Sequence, residues 1–156
     1  MNPFKYTVSL RIGHPNITAM EIVNRLGITP KHMWTVGEPR KTPRGDPLPG
    51  NYKETYCYFL VGSGEGKELA KLLDSCCDRL YQHADFFQSI RSTGGKLEYF
   101  IGWFADNNCG ETFDIGLLRK LVDLGIDISI DLYPCNWEER WTNKLDQATD
   151  PAGSLD

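Results

Sequence analysis

The chain has 156 residues, and its 17 basic and 21 acidic side chains give a formal net charge of −4. That length fits one domain, and a globule of this size buries roughly 70% of its chain surface, so a core needs neither metal nor disulfide. The slight acidity argues against a general nucleic-acid binder, which carries a large basic excess.

The chain begins Met1-Asn2-Pro3-Phe4-Lys5-Tyr6, without the charged and then apolar run of a secretory signal. No stretch approaches 18 apolar residues, so no membrane association is expected. The five cysteines are Cys57, Cys76, Cys77, Cys109 and Cys135. An odd count without a signal reads as reduced thiols in a cytoplasm, and no pair has the C-x-x-C spacing of a zinc or redox site. Asn16-Ile17-Thr18 matches a glycosylation acceptor, a pattern without meaning in that compartment.

In chain order, residues 4–12 alternate: Phe4, Tyr6, Val8, Leu10 and Ile12 on one side, Lys5, Thr7, Ser9 and Arg11 on the other. That is a strand with one buried face. After the turn Gly13-His14-Pro15-Asn16, Thr18 and Glu21 form a capping box for a helix with the stripe Met20, Ile22, Val23 and Leu26. Gly27 supplies the left-handed residue that ends it. Residues 30–50 hold five of the nine prolines and read as a long loop. Residues 52–61 form an aromatic strand, apolar on both faces in its second half. Gly62-Ser63-Gly64-Glu65-Gly66 reads as a flexible connector.

A helical pattern follows, with Leu69, Leu72, Leu73, Cys76, Leu80, Ala84, Phe87 and Ile90 at steps of three and four and room for a break near His83. Gly94-Gly95 reverses the chain, and residues 96–104 make a third strand. Asp114 caps a helix with Ile115, Leu117, Leu118, Leu121, Val122 and Leu124, which ends at Gly125. Residues 126–133 alternate again, with Ile126, Ile128, Ile130 and Leu132 inward and Asp127, Ser129, Asp131 and Tyr133 outward. Pro134 ends that strand. Trp137 and Trp141 fall at i, i+4 on a short helix, and residues from Gln147 read as a frayed end.

The order β-α-loop-β-α-β-α-β, with polar faces on the first and last strands, predicts an α+β two-layer sandwich. It has a mixed or antiparallel sheet of four or more strands with helices on one face, loosely ferredoxin-like. Residues 1–135 form one domain, with 136–156 as a C-terminal extension. Leu26-Gly27-Ile28 and Leu124-Gly125-Ile126 close the first and last helices alike and hint at two related halves.

The Gly62-Gly64-Gly66-Lys67 run lies between a strand and a helix but fails both nucleotide motifs. Glu68 stands where a P-loop needs Ser or Thr, and Lys67 where a dinucleotide fingerprint needs glycine. His14, His32 and His83 have no i, i+4 pair and read as surface residues; no metal or cofactor is expected. Asp127 and Asp131 lie roughly 13 Å apart along a strand, too far for shared acid–base work. No G-x-S-x-G elbow exists.

The segment from Met33 to Arg44 is the richest in recognition chemistry. Between Lys31 and Lys53 stand five basic and two acidic residues. Proline lowers the entropy lost on ordering a loop, and Arg with Trp is a common recognition pair. Asn136–Asp156 carries the opposite balance, five acids and two bases, so loop and tail have complementary charge.

Ser9-Leu10-Arg11-Ile12, then Leu26-Gly27-Ile28-Thr29-Pro30, then Trp34-x-x-Gly37-Glu38-Pro39 resemble an uncharacterised bacterial domain-of-unknown-function family. Leu124-Gly125-Ile126 and Asp131-Leu132-Tyr133 are similar too, so the likeness runs from about Tyr6 to Tyr133. It implies a small single-domain cytoplasmic protein and no assigned activity. Proteins of this kind often serve in bacterial immunity against toxins, which is analogy.

The expected function is a non-catalytic protein-binding module, with an immunity-type protein as its specific form. Its candidate partner contacts are Arg11, Trp34, Glu38, Arg40 and Arg44. The rival readings are a regulatory domain that senses a small molecule, and a Cys- or His-dependent hydrolase or transferase.

Overall fold

The computed structural model describes residues 4–134. The expected helix at Trp137 and Trp141, the frayed end, Cys135 and the acidic tail lie outside the described residues. Strand β1 (Lys5–His14) shows the predicted alternation, with Tyr6, Val8, Leu10 and Ile12 all buried. It runs antiparallel to two strands at once: β5 (Thr55–Glu65) on one side and β6 (Lys96–Phe104) on the other. Strand β2 (His32–Trp34) pairs antiparallel with β5, and β7 (Asp127–Tyr133) pairs parallel with β6. The result is a mixed five-stranded sheet in the order β2-β5-β1-β6-β7.

Helices α1 (Ala19–Leu26), α2 (Leu69–Leu80) and α3 (Ala84–Ser92) pack against the sheet, and α4 (Ile115–Leu124) packs on α2 and α3. Their buried residues share one core with the inward face of the sheet, so the α+β two-layer architecture stands. Lys120 of α4 ties the helices together by reaching Asp74 at 2.8 Å and Asp78 at 2.7 Å on α2.

The caps work as the sequence dictates. Glu21 N–H donates to Thr18 Oγ1 (3.2 Å), and Leu117 N–H to Asp114 Oδ1 (2.9 Å). Gly27 (φ 66°) and Gly125 (φ 68°) take the left-handed conformation that ends α1 and α4. The predicted helical break falls at the 3₁₀ turn Tyr81–His83. The likeness between the two Leu-Gly-Ile turns extends past the cap: α4 joins the parallel neighbours β6 and β7, and α1 joins β1 to β2, which run in the same direction with β5 between them.

Several expectations change. The long loop contains β2 and a second sheet, the hairpin of β3 (Pro39–Lys41) and β4 (Pro47–Asn51). The glycine-rich connector is the second half of β5. A bulge at Val61, where Leu60 faces Ser9 but Gly62 faces Val8, turns Gly62 and Gly64 toward the helices. There a Cβ on Gly64 would fall 2.5 Å from the Tyr6 hydroxyl, and one on Gly62 would fall 3.3 Å from Leu72. The glycines make room for packing rather than for a phosphate. The apolar stripes of α4 and β7 are narrower than their sequences suggest. Ile115, Leu118 and Val122 stay exposed on α4, as do Ile130 and Leu132 on the edge strand.

His14 is the largest departure among the histidines, since it is 2% exposed. Its Nδ1 accepts the N–H of Asn16 (2.9 Å) and of Ile17 (3.0 Å). That fixes the tautomer: Nε2 carries the proton and donates to Thr93 Oγ1 at 2.8 Å. Thr93 donates in turn to the Ser89 carbonyl (2.7 Å). Gly95 follows at the same junction, where a Cβ would meet Ile90 at 2.4 Å and His14 at 2.8 Å. The chain turn after β1 and the turn before β6 are thus one packed unit.

Burial lowers the His14 pKa from its ordinary value, with Glu21 opposing by its charge. The native state therefore holds His14 neutral, and the unfolded chain takes up the proton first. This contribution to stability is complete above the unfolded pKa of about 6.5 and is lost as pH falls through the lowered native value. Denaturant titrations at pH 7.5 and 5.5 are expected to show lower stability at pH 5.5. In His14→Ala that pH slope shrinks, with the remainder assigned to His32, and stability at pH 7.5 drops by about 1–3 kcal/mol as two backbone amides lose their acceptor.

Candidate functional site

The register places the outward residues of neighbouring strands in rows across the helix-free face. One row reads His32, Tyr58, Arg11, Glu98 and Asp127, and the next reads Trp34, Tyr56 and Gly13. Adjacent members stand about 4.8 Å apart. The face is aromatic at its β2 side and acidic at its β7 side.

Trp34 is the centre of the aromatic side. Its ring stacks on Tyr52 (4.7 Å between centroids, 15°) and on Tyr56 (4.6 Å, 22°). Two such stacked pairs contribute about 1–3 kcal/mol beyond area burial. The hairpin is fastened beside this stack by backbone bonds. Gly37 N–H donates to the Tyr52 carbonyl (2.9 Å), and Tyr52 N–H donates to the Glu38 carbonyl (2.9 Å). Gly37 reaches this bond at φ 83°, a conformation suited to glycine. Lys41 N–H donates to the Tyr52 hydroxyl (3.2 Å).

The segment is also tied to α1. Thr55, fully buried, accepts the Val36 N–H (3.0 Å) and donates to the Ile17 carbonyl (2.6 Å). Thr35 Oγ1 accepts the Ala19 N–H at the helix start (3.0 Å). A proline-rich stretch without apolar periodicity thus becomes ordered through backbone bonds and one aromatic stack.

Trp34, Glu38, Lys41, Thr42 and Tyr52 line an open cavity of about 470 Å³ between β2 and the hairpin. Of the five sequence-predicted contacts, the structure brings Trp34 and Glu38 together here. Glu38 also has a local duty, since its Oε2 accepts the Thr35 N–H (3.1 Å). Arg40 alternates with the lining residues Pro39 and Lys41 on β3, and Arg44 is exposed at the hairpin turn. Both add positive charge beside the cavity rather than within it.

Arg11 lies in the neighbouring row. Its guanidinium sits 3.5 Å over the Phe100 ring and 5.6 Å from the Tyr58 ring, and its Nε donates to Ser9 Oγ (3.4 Å). It forms no ion pair with a described carboxylate. Stacking on the ring face leaves the edge donors of the guanidinium available to an acceptor.

The family comparison fits the extent of this architecture. Residues 4–134 match the family described as domain of unknown function (DUF4279). The chain belongs to that family. The DUF4279 match runs from the start of β1 past the end of β7, so the sheet, the hairpin and all five candidate residues lie within it. No curated protein and no solved structure matches the chain.

Sequence reasoning missed His32, Tyr52, Tyr56, Tyr58 and Phe100. The signal was the alternation of Tyr56 and Tyr58, which shares a phase with Arg11 only once the β1–β5 register is known. Burial pushes the Tyr56 phenol up to about 12, against the pull of Arg11, so it stays a neutral hydrogen-bonding group. Burial and the Lys31 charge lower the His32 pKa. Among the described residues, no three His, Cys, Asp or Glu side chains form a metal-binding group.

Trp34→Ala is expected to cost about 1–3 kcal/mol and to loosen the hairpin. Hydrogen exchange at the Gly37 and Tyr52 amides then accelerates, while the β1 and β6 amides keep their protection. Unchanged exchange at Gly37 and Tyr52 would remove Trp34 as the organiser of the site.

Proposed function

We propose that this chain is a cytoplasmic, non-catalytic protein-binding module whose partner contributes an acidic segment to the Trp34 cavity and its basic hairpin. Residues 1–135 act as one binding domain, with 136–156 as an extension. One observation carries the reading: a tryptophan stacked between two tyrosines, at an open cavity, beside a hairpin rich in exposed bases. Aromatic and arginine anchors of this kind concentrate binding energy. Their ordering before contact lowers the entropy cost of association.

Lys31, Lys41, Arg44 and Lys53 are exposed around this site, and Arg40 is half-buried. Arg11 extends the surface across the open sheet face. An immunity-type role is the specific form in which the bound protein is a toxin.

Little supports the thiol-chemistry reading. Burial pushes the Cys57 thiol up to about 12 and the Cys77 thiol up to about 11, which holds both protonated at neutral pH. Among the described residues, no helix is long and apolar enough to cross a membrane.

Affinity purification with the wild type and with Arg40→Glu/Arg44→Glu tests the proposal. A partner that elutes at moderate salt, cross-links near Trp34 and binds the variant at least tenfold more weakly is the expected result. A partner retained equally by the variant, or cross-linked away from the hairpin, overturns it. For the toxin form, stoichiometric inhibition of the partner's activity is required.

A further inference from the structure

The two edges of the sheet are built differently. Strand β2 has three residues, and Trp34 within it is covered by Tyr52 and Tyr56. Strand β7 has seven residues and, among the described residues, pairs only with β6. It contains no proline, glycine or lysine, the residues that commonly blunt a strand edge. Ile130 and Leu132 lie opposite the buried Ile101 and Trp103 and so face the helix side, yet both are exposed, Leu132 by 73%.

Helix α4 extends the same patch. Lys120 reaches α2, and Leu118 and Val122 stand two positions to either side of it. With 3.6 residues per turn, two positions carry a side chain to the opposite flank of a helix. Helix α2 packs on β5, and β5 and β7 lie on opposite sides of β1, so the flank of α4 away from α2 faces β7. Ile115, three positions before Leu118, continues that stripe. Phe113, just before α4, lines one open cavity with Ile130 and Leu132, which joins the helix start to the strand. Ile115, Leu118, Val122, Ile130 and Leu132 thus leave one apolar patch of roughly 500 Å² uncovered, near the upper end for the largest patch on a monomer.

We propose that this edge is the interface with a second copy of the chain, in which two β7 strands pair antiparallel about Ile130 and join both sheets into one of ten strands. The sequence of β7 is self-complementary in that register. A two-fold axis perpendicular to the sheet keeps both helix layers on the same side, so residues opposite each other share a face. Centred on Ile130, the pairing uses all seven residues: Ile130 meets its copy, Ile128 meets Leu132, and Ser129 meets Asp131. Centred on Ser129 it sets Asp127 against Asp131, and centred on Asp131 it sets that carboxylate against its own copy. Like charges directly opposite are destabilising, which selects the first register. The area also suffices. A stable interface takes about 800 Å² per partner, of which the patch supplies more than half and the β7 edge with its flanking side chains the rest. The apolar stripes of the two α4 helices then flank the paired strands. Trp34 lies at the far edge of each sheet, so both partner surfaces stay open.

Sedimentation of the full chain at micromolar concentrations is expected to show a monomer–dimer equilibrium. Val122→Glu and Leu132→Glu each weaken the dimer at least tenfold and keep the Tm close to wild type, because both side chains are exposed. Trp34→Ala leaves the equilibrium unchanged, which separates this surface from the proposed partner site. In a Cys109→Ser/Cys135→Ser background, a short bismaleimide is expected to link Ile130→Cys to its own copy. It links Leu132→Cys to Ile128→Cys in a mixed sample, but not to its own copy, which lies roughly 13 Å away along the strand. A chain that stays monomeric overturns the proposal, as does a dimer that keeps wild-type affinity in both glutamate variants. Self-linking at position 132 without self-linking at 130 overturns the register. A photo-crosslinker at position 132 that captures residues 136–156 of the same chain in a monomer assigns the patch to the C-terminal extension and likewise overturns the proposal.

Discussion

Strand β1 is hydrogen-bonded on both sides, so its alternation sets the rest of the molecule. With β5 and β6 both in fixed register to it, every residue in phase with Leu10 faces the helices and every residue in phase with Arg11 faces outward. A slip of one residue would send Leu10 and Ile12 outward and bring Arg11 into the core. The core and the open face both follow from that one constraint. Its ends are pinned too: His14 closes the last residue of β1 against Thr93 and Gly95, just before β6 begins.

The bulge at Val61 is the one place where the constraint is broken, and it has two effects. It reverses the phase of β5, so Gly62 and Gly64 face Leu72 and Tyr6. It also brings two consecutive residues of β5, Leu60 and Val61, to the lining of a cavity of about 650 Å³ shared with Cys76 and Leu80 of α2. A continuous alternation would have turned Ser63 and Glu65 inward, and a sheet of this kind does not bury an unpaired glutamate. Instead Glu65 faces outward and pairs with Lys5 at 3.3 Å. The glycine run is thus the solution to a packing problem posed by Tyr6 on the adjacent strand and Leu72 on α2.

What was legible in the sequence was local. Alternation in β1, caps at Thr18 and Asp114, glycine stops at Gly27 and Gly125, and the break near His83 depend on neighbours within a few residues. Each was read correctly. Pairing across the chain was not legible. The hairpin of Pro39–Lys41 and Pro47–Asn51 has almost no apolar periodicity, and it is held by Trp34, Tyr52 and Tyr56 through long-range stacking. His14 looked like a turn residue because its burial depends on Thr93, 79 positions away. Trp34 and Glu38 stand out in the sequence because Trp and charge in a proline-rich segment are unusual, and the structure brings both to the lining of one cavity. Tyr56 and Tyr58 were overlooked because an aromatic strand reads equally well as core.

The net charge of −4 also changes meaning in three dimensions. The exposed bases from Lys31 to Lys53 gather at the β2 side of the sheet, while Glu98, Asp127 and Asp131 lie on β6 and β7. Strands β2 and β7 are four strand spacings apart, roughly 19 Å. That exceeds two Debye lengths at physiological salt, so neither group cancels the other's field at the surface. Several of the acids are already engaged: Asp127 by Arg91 at 2.7 Å, Glu98 by Ser129 at 2.6 Å, Asp131 by Tyr133 at 2.6 Å. The bases around the hairpin have no such counterparts among the described ion pairs. An approaching polypeptide therefore meets a positive field at the aromatic edge and an acidic one at the other, where Arg91 offsets the charge of Asp127. On the proposed reading, that gradient would orient the partner's acidic segment toward Trp34 before contact.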